Sequence, residues 1–217
     1  MLFRKSWLID DYSDKRQASW GLSLGEIKNP KEVEKQIQDF IPFKVGKRNN
    51  MYVLRSDISY EFNLFRAYQE NGVKLNLKLG GGPSIAIIKP YVIEYITSYD
   101  TLTGFYTSSF AQYNPEIHNH DNTGPIIGFV IGSGGFIRGW DLKFKPGVNL
   151  KIAFDFQFGH MMKSFKSLEF GFVLDAFPEK IITIPEAENK SIFSSAYLAF
   201  NMGQRRYKKP KEFRESR

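Results

Sequence analysis

The chain has 217 residues, enough for one domain with a sizeable core or a closed barrel. It contains no cysteine, which excludes a disulfide scaffold, a zinc–thiolate site and a cysteine nucleophile. The formal charge of +7 is concentrated in 204–217, where Arg205, Arg206, Lys208, Lys209, Lys211, Arg214 and Arg217 face only Glu212 and Glu215, so the near-neutral body offers no basic face for nucleic acid.

Aromatic residues make up 16% of the chain, and short runs of Val, Ile, Tyr and Phe recur, which points to an all-β protein. A possible first strand covers 2–9, and a second covers 17–27 with Trp20, Leu22 and Leu24 on one face. The polar stretch 28–50 includes a short helix expected within 30–40, where Val33, Ile37 and Phe40 fall on one side. From 52 to 62 the period is two. Tyr52, Leu54, Ser56, Ile58, Tyr60 and Phe62 alternate with Val53, Arg55, Asp57, Ser59 and Glu61. Asn71-Gly72 marks a turn, and Val73, Leu75, Leu77 and Leu79 then alternate with Lys74, Asn76 and Lys78. Gly80-Gly81-Gly82-Pro83 reads as a break before another strand over 84–96.

The stretch 97–146 has no clear period and is expected to be a long, partly ordered excursion used for recognition. Val148 to Phe158 alternates again, with Lys151 and Asp155 on the polar face. Leu168 to Ala176 does the same, with Glu169 and Asp175 on that face, and a last strand is expected over 191–202. The reading is one domain over 1–203 and a solvated basic tail over 204–217.

No run reaches the eighteen apolar residues of a spanning helix, and Asp10, Asp11 and Asp14 interrupt any signal-peptide core after Met1-Leu2-Phe3-Arg4-Lys5. Several strands nevertheless have about the length that crosses a bilayer at a tilt. Alternation alone leaves two barrels open. A soluble ligand-binding barrel turns its apolar face inward, and an outer-membrane barrel turns it toward lipid. Two features favour the second. The apolar faces are bulky over long spans, and the opposite faces carry both signs of charge: Arg55, Asp57, Glu61, Lys74, Lys78, Lys151, Asp155, Glu169 and Asp175. Mixed charge suits a filled lumen, where each buried ion needs a partner.

The run Lys44-Val45-Gly46-Lys47-Arg48-Asn49-Asn50-Met51-Tyr52-Val53-Leu54-Arg55 resembles a YGK-x-N-x-(F/Y)-V-L-R stretch in a poorly characterised family of Gram-negative outer-membrane β-barrel proteins. Matching segments follow in order: Asn71-Gly72-Val73, Gly82-Pro83-Ser84, Lys89-Pro90-Tyr91, Tyr113-Asn114-Pro115 with His118, Lys145-Pro146-Gly147-Val148, Leu168-Glu169-Phe170-Gly171 and Tyr197-Leu198-Ala199-Phe200. The resemblance covers about 21–207. It implies an antiparallel up-and-down transmembrane barrel of about eight strands in the outer membrane, with no established activity. Its partners would be outer-membrane lipids and, as an option, other envelope proteins. An even strand count would place both chain ends and the basic tail on the periplasmic side, and a natural precursor would carry an upstream export signal.

Convergent chemistry is sparse. Glu116, His118, His120 and Asp121 have metal-ligand types at close spacing, but no distant ligand joins them, and a solvated polar loop is the expected reading. His160, Ser164 and Glu169 have the residue types of a hydrolase triad without a Gly-x-Ser-x-Gly elbow. Gly132-Ser133-Gly134-Gly135 lacks the Lys-Ser/Thr of a phosphate loop. The sequence therefore predicts no enzyme and no cofactor, but a structural or interaction barrel, with an envelope lipid hydrolase, a small pore or a soluble ligand-binding barrel as alternatives.

Overall fold

The computed structural model describes residues 3–8, 16–37, 41–65, 73–119, 124–158, 164–185 and 188–204. Every element among them is a β-strand, and every named strand pairing is antiparallel.

Seven strands form the main sheet: β1 (Phe3–Leu8), β2 (Arg16–Ile27), β5 (Asn49–Phe65), β6 (Lys74–Pro90), β10 (Lys143–Phe158), β11 (Ser164–Ala176) and β12 (Ile192–Gln204). They lie in the order β1-β2-β5-β6-β10-β11-β12. β3 (Glu34–Lys35) pairs with β4 (Phe43–Lys44). β7 (Val92–Tyr99), β8 (Tyr106–Gln112) and β9 (Val130–Ser133) make a three-stranded sheet in the order β8-β7-β9.

The main sheet is curled. Five strand spacings separate β1 from β11 in its order. At about 4.8 Å each, a flat sheet would hold them about 24 Å apart, beyond the joint reach of an arginine and a glutamate. Yet Arg4 Nη1 on β1 lies 2.5 Å from Glu169 Oε2 on β11. Arg55 on β5 likewise reaches Asp175 on β11 at 2.7 Å. The sheet does not close: among the described residues, β1 and β12 do not pair.

The concave face is polar and the convex face apolar. Asp57, Ser59, Glu61, Lys74, Asn76, Lys78, Asn149, Asp155, Glu169 and Asp175 are buried, whereas Ile58, Tyr60, Phe62, Ile152, Phe154, Phe170, Phe172 and Leu198 are exposed. The polarity of the inside changes with height. Toward the Asn49 and Pro90 strand ends the inward side chains become Met51, Val53, Ala86 and Ile88, and Phe177 and Ile181 of the β11–β12 connection pack onto them. The interior is thus a charged middle under an apolar cap.

Three further expectations are corrected. The helix over 30–40 is absent from 30–37, where a turn leads into β3 because Val45 N–H bonds to Val33 O and fixes a β-pairing instead. Gly80-Gly81-Gly82-Pro83 lies inside β6 rather than breaking it. A Cβ on Gly82 would sit 2.1 Å from the Ser56 carbonyl oxygen, so the glycines let neighbouring strands approach. The β5–β6 ladder passes over Gly82 and Pro83 with its register kept: Arg55 pairs Ser84 and Ile58 pairs Gly81. The aperiodic 97–146 contains strands, namely the end of β7, all of β8 and β9, and the start of β10. With seven described strands the first and last run in the same direction, so Phe3 and Gln204 lie at opposite ends of the sheet. The tail beyond 204 lies outside the described residues.

The connections are unequal. The long ones (28–48, 91–142 and 177–191) share one end, and the short ones (9–15, 66–73 and 159–163) share the other. The long connections brace each other: Arg48 and Asn49 N–H donate to Thr183 O at 2.8 and 3.2 Å, and Tyr91 N–H donates to Arg48 O at 2.9 Å.

Candidate functional site

Alternation on five strands delivers the charges to one place, because every second side chain of β5, β6, β10 and β11 points inward and β1 adds Arg4. Glu169 is the hub. Arg4 holds both its oxygens, at 2.5 and 3.1 Å, and Lys78 Nζ lies 2.9 Å away. The Tyr197 hydroxyl donates to it at 2.5 Å, and Lys151 Nζ is at 3.4 Å. Lys78 also faces Asp155 at 3.1 Å and Glu61 at 3.8 Å, and Lys151 faces Asp57 at 3.8 Å. Arg55 grips Asp175 in a two-pronged pair, with Nε and Nη2 at 2.8 and 2.7 Å.

All nine sequence-selected charges thus lie on the inner face, and eight enter these ion pairs; the ninth, Lys74, is buried beside them. With Arg4 included, five cations meet five carboxylates. Ionised groups taken out of water hold their charge only when opposed and hydrogen-bonded, and here the signs balance. Ser59 Oγ and Gln157 Nε2 add hydrogen bonds to Asp57 and Asp155 at 2.9 and 2.8 Å.

Sequence reasoning missed Arg4 and Tyr197. Lys5 on the outer face of β1 blurs the alternation that marks Arg4 as inward. Tyr197 stands out only as part of the Tyr197-Leu198-Ala199-Phe200 segment, and the signal that places it inward is that Ser195, Ala199, Asn201 and Gly203 make its face small and polar.

A second locus lies among the long connections. Phe43, Ile93, Tyr113 and Val130 form a small core beneath the β7–β8–β9 sheet. Beside it opens a cleft of about 520 Å³ lined by Arg48, Tyr95, Gln112, Tyr113, Glu116 and His118, among others. His118 is buried; its Nδ1 accepts a hydrogen bond from Asn114 N–H at 2.9 Å, and its ring packs edge-on to Tyr95 at 4.4 Å. Burial lowers its pKa from the ordinary value, in keeping with a neutral ring that accepts at Nδ1. Here His118 is a packing residue. Among the described residues no three of His, Asp and Glu gather as metal ligands, and His120 and Asp121 lie outside them.

A third cluster organises the β2–β5 connection. Glu32 accepts from Lys44 and, at 2.8 Å, from Lys47. Burial works against its carboxylate, but the two lysines prevail and hold its pKa below the usual carboxylate value. Of the hydrolase residue types only the Glu169 side chain is described, with both oxygens taken by Arg4, Tyr197 and Lys78; His160 and the Ser164 side chain lie outside the described residues. Gly132 and Ser133 belong to β9, and Ser133 Oγ accepts from Gly135 N–H at 3.2 Å, so that run is strand and turn.

Comparison with protein-family models, with curated proteins and with solved structures finds no match for this chain.

Proposed function

We propose that this chain is a membrane-embedded β-barrel of the outer-membrane type, serving as a structural or interaction component of a cell envelope. The observation that carries the reading is the inverted partition of the main sheet. Ten charged groups on one face neutralise each other inside, while Phe, Leu, Ile and Tyr cover the outside. In water that arrangement is costly twice over, since it leaves a contiguous apolar band exposed and shields ions from solvent. Next to lipid the first cost disappears, and an interior of paired charges is what a narrow barrel holds.

The grouping of long connections at one end and short ones at the other supports the same reading, with the long-connection end outward. The β7–β8–β9 sheet and its cleft then supply an external recognition surface. A pore is disfavoured because the charged middle and its cap of Met51, Ile88, Phe177 and Ile181 occupy the interior. A soluble ligand-binding barrel would need the opposite partition.

Membrane fractionation followed by detergent extraction tests the proposal. The protein is expected in the membrane pellet, released by detergent, and migrating differently on gels before and after boiling. A stable monomer in the detergent-free soluble fraction would overturn it.

A further inference from the structure

We propose that the loop 134–142 is a clasp for the phosphate of an anionic lipid, with Arg138 as the phosphate ligand. The inference deepens the membrane reading and rests on it.

The loop is firmly built. Gly134 N–H donates to Val92 O at 2.8 Å, Trp140 Nε1–H to Ile137 O at 2.6 Å, and Leu142 N–H to Trp140 O at 2.9 Å. Gly139 has φ +76°, and a Cβ there would meet the Pro90 carbonyl oxygen at 2.7 Å, so the loop lies directly against the end of β6. Lys89, buried near that end, donates to Phe136 O and sits 3.7 Å from the Phe136 ring and 4.7 Å from the Trp140 ring. Its ammonium is used to hold the loop in shape.

Arg138 is different. Its guanidinium carbon lies 3.7 Å from the centre of the Phe110 ring, which orients the plane. Among the described residues it makes no hydrogen bond or ion pair. A guanidinium held over a ring with its N–H groups unused is a fork for two phosphate oxygens.

What surrounds it selects a lipid over a free phosphate. Phe136, Ile137 and Trp140 are 66%, 83% and 64% exposed, an apolar surface that a hydrocarbon phase would cover. They continue the outward band of the main sheet, since Phe144, Val148 and Ile85 are exposed on the adjoining strands. An aromatic rim with a cation at the edge of an apolar band is headgroup-level chemistry.

The test uses Trp140 as the reporter. Trp7→Phe and Trp20→Phe leave it the sole tryptophan of three. The protein is reconstituted into phosphatidylcholine vesicles containing a minority of phosphatidylglycerol, with bromine high on the acyl chain of one lipid or the other. Brominated phosphatidylglycerol is expected to quench Trp140 as though enriched about fivefold over its mole fraction, the factor that about 1 kcal/mol per surface cation gives. Arg138→Gln is expected to abolish the enrichment while quenching by brominated phosphatidylcholine persists, and Arg138→Lys to retain part of it. Quenching in simple proportion to mole fraction, or enrichment unchanged in Arg138→Gln, would overturn the clasp while leaving the barrel reading intact. No quenching by either lipid would also overturn the clasp, and boiling-dependent migration of the same sample reports separately whether the barrel has formed.

Discussion

At the scale of single residues, the molecule turns on Glu169. A carboxylate with no exposed surface holds two cations within hydrogen-bond distance and a third at 3.4 Å. Removing it leaves Arg4, Lys78 and Lys151 to share the remaining carboxylates. Breaking a buried ion pair from one side costs about 3–5 kcal/mol, since the orphaned charge stays shielded from water. Glu169→Ala is therefore expected to lower unfolding stability by about that amount, read as a shift of the urea midpoint in detergent. Glu179→Ala is the control. Glu179 pairs with Lys145 at 2.6 Å but is solvated at the rim, so its removal is expected to leave the midpoint unchanged. Equal midpoints for the two variants would mean that the interior ions are as dispensable as surface ones, contrary to the barrel interior argued above.

At the scale of elements, the glycine run of β6 separates what the sequence could tell from what it could not. Gly-Gly-Gly-Pro is a turn signal locally, and only the neighbouring strands reveal its purpose. Cβ atoms on Gly80 and Gly82 would strike β5 at Ser59 Oγ and Ser56 O, 2.2 and 2.1 Å away, and one on Gly81 would strike Asn149 O of β10 at 2.7 Å. Gly82→Val is thus expected to force β5 and β6 apart and cost at least the 1–3 kcal/mol usual for overpacking, seen as loss of the boiling-sensitive gel species. Gly104→Asn, in an open turn with φ +72° and nothing within 4 Å, is expected to fold normally.

The strands of the main sheet were legible because each has one face against a different medium, which prints a period of two. β9 was not, because all four of its residues are buried and no face contrasts with another. β8 was hidden for the opposite reason, with most of its residues exposed or half-exposed. Val33 and Ile37 imitated a helical stripe, but the segment is fixed by long-range pairing with 43–45, which leaves Val33 exposed and packs Ile37 against the small core. The charge cluster was legible residue by residue, since both signs recur on the polar faces. Its hub was not, because which carboxylate becomes central depends on register and curl.

At the scale of the whole molecule, the proposed barrel turns on the seam between β1 and β12. Exposed strand edges are not tolerated in a hydrocarbon phase, where no water can satisfy the backbone. The edges come near each other, for Arg4 of β1 and Tyr197 of β12 grip the same carboxylate. They run in the same direction, so on the proposed barrel reading they would close either by a direct parallel pairing or around a strand antiparallel to both. Among the described residues β1 offers six against the thirteen of β12, so direct pairing of these two stretches would leave much of the longer edge bare. An intervening strand would satisfy both edges and restore the even count usual in single-chain bacterial barrels.

Because the chain has no native cysteine, engineered pairs can measure the gap. Lys5→Cys with Trp20→Cys joins register partners of β1 and β2 and is expected to cross-link readily in membranes. Lys5→Cys combined in turn with Leu198→Cys, Phe200→Cys or Met202→Cys on the outer face of β12 is expected to give no disulfide, since an inserted strand would set the edges about 9.6 Å apart. Efficient cross-linking to any of the three would establish that β1 and β12 pair directly, and that seven strands suffice to close the barrel.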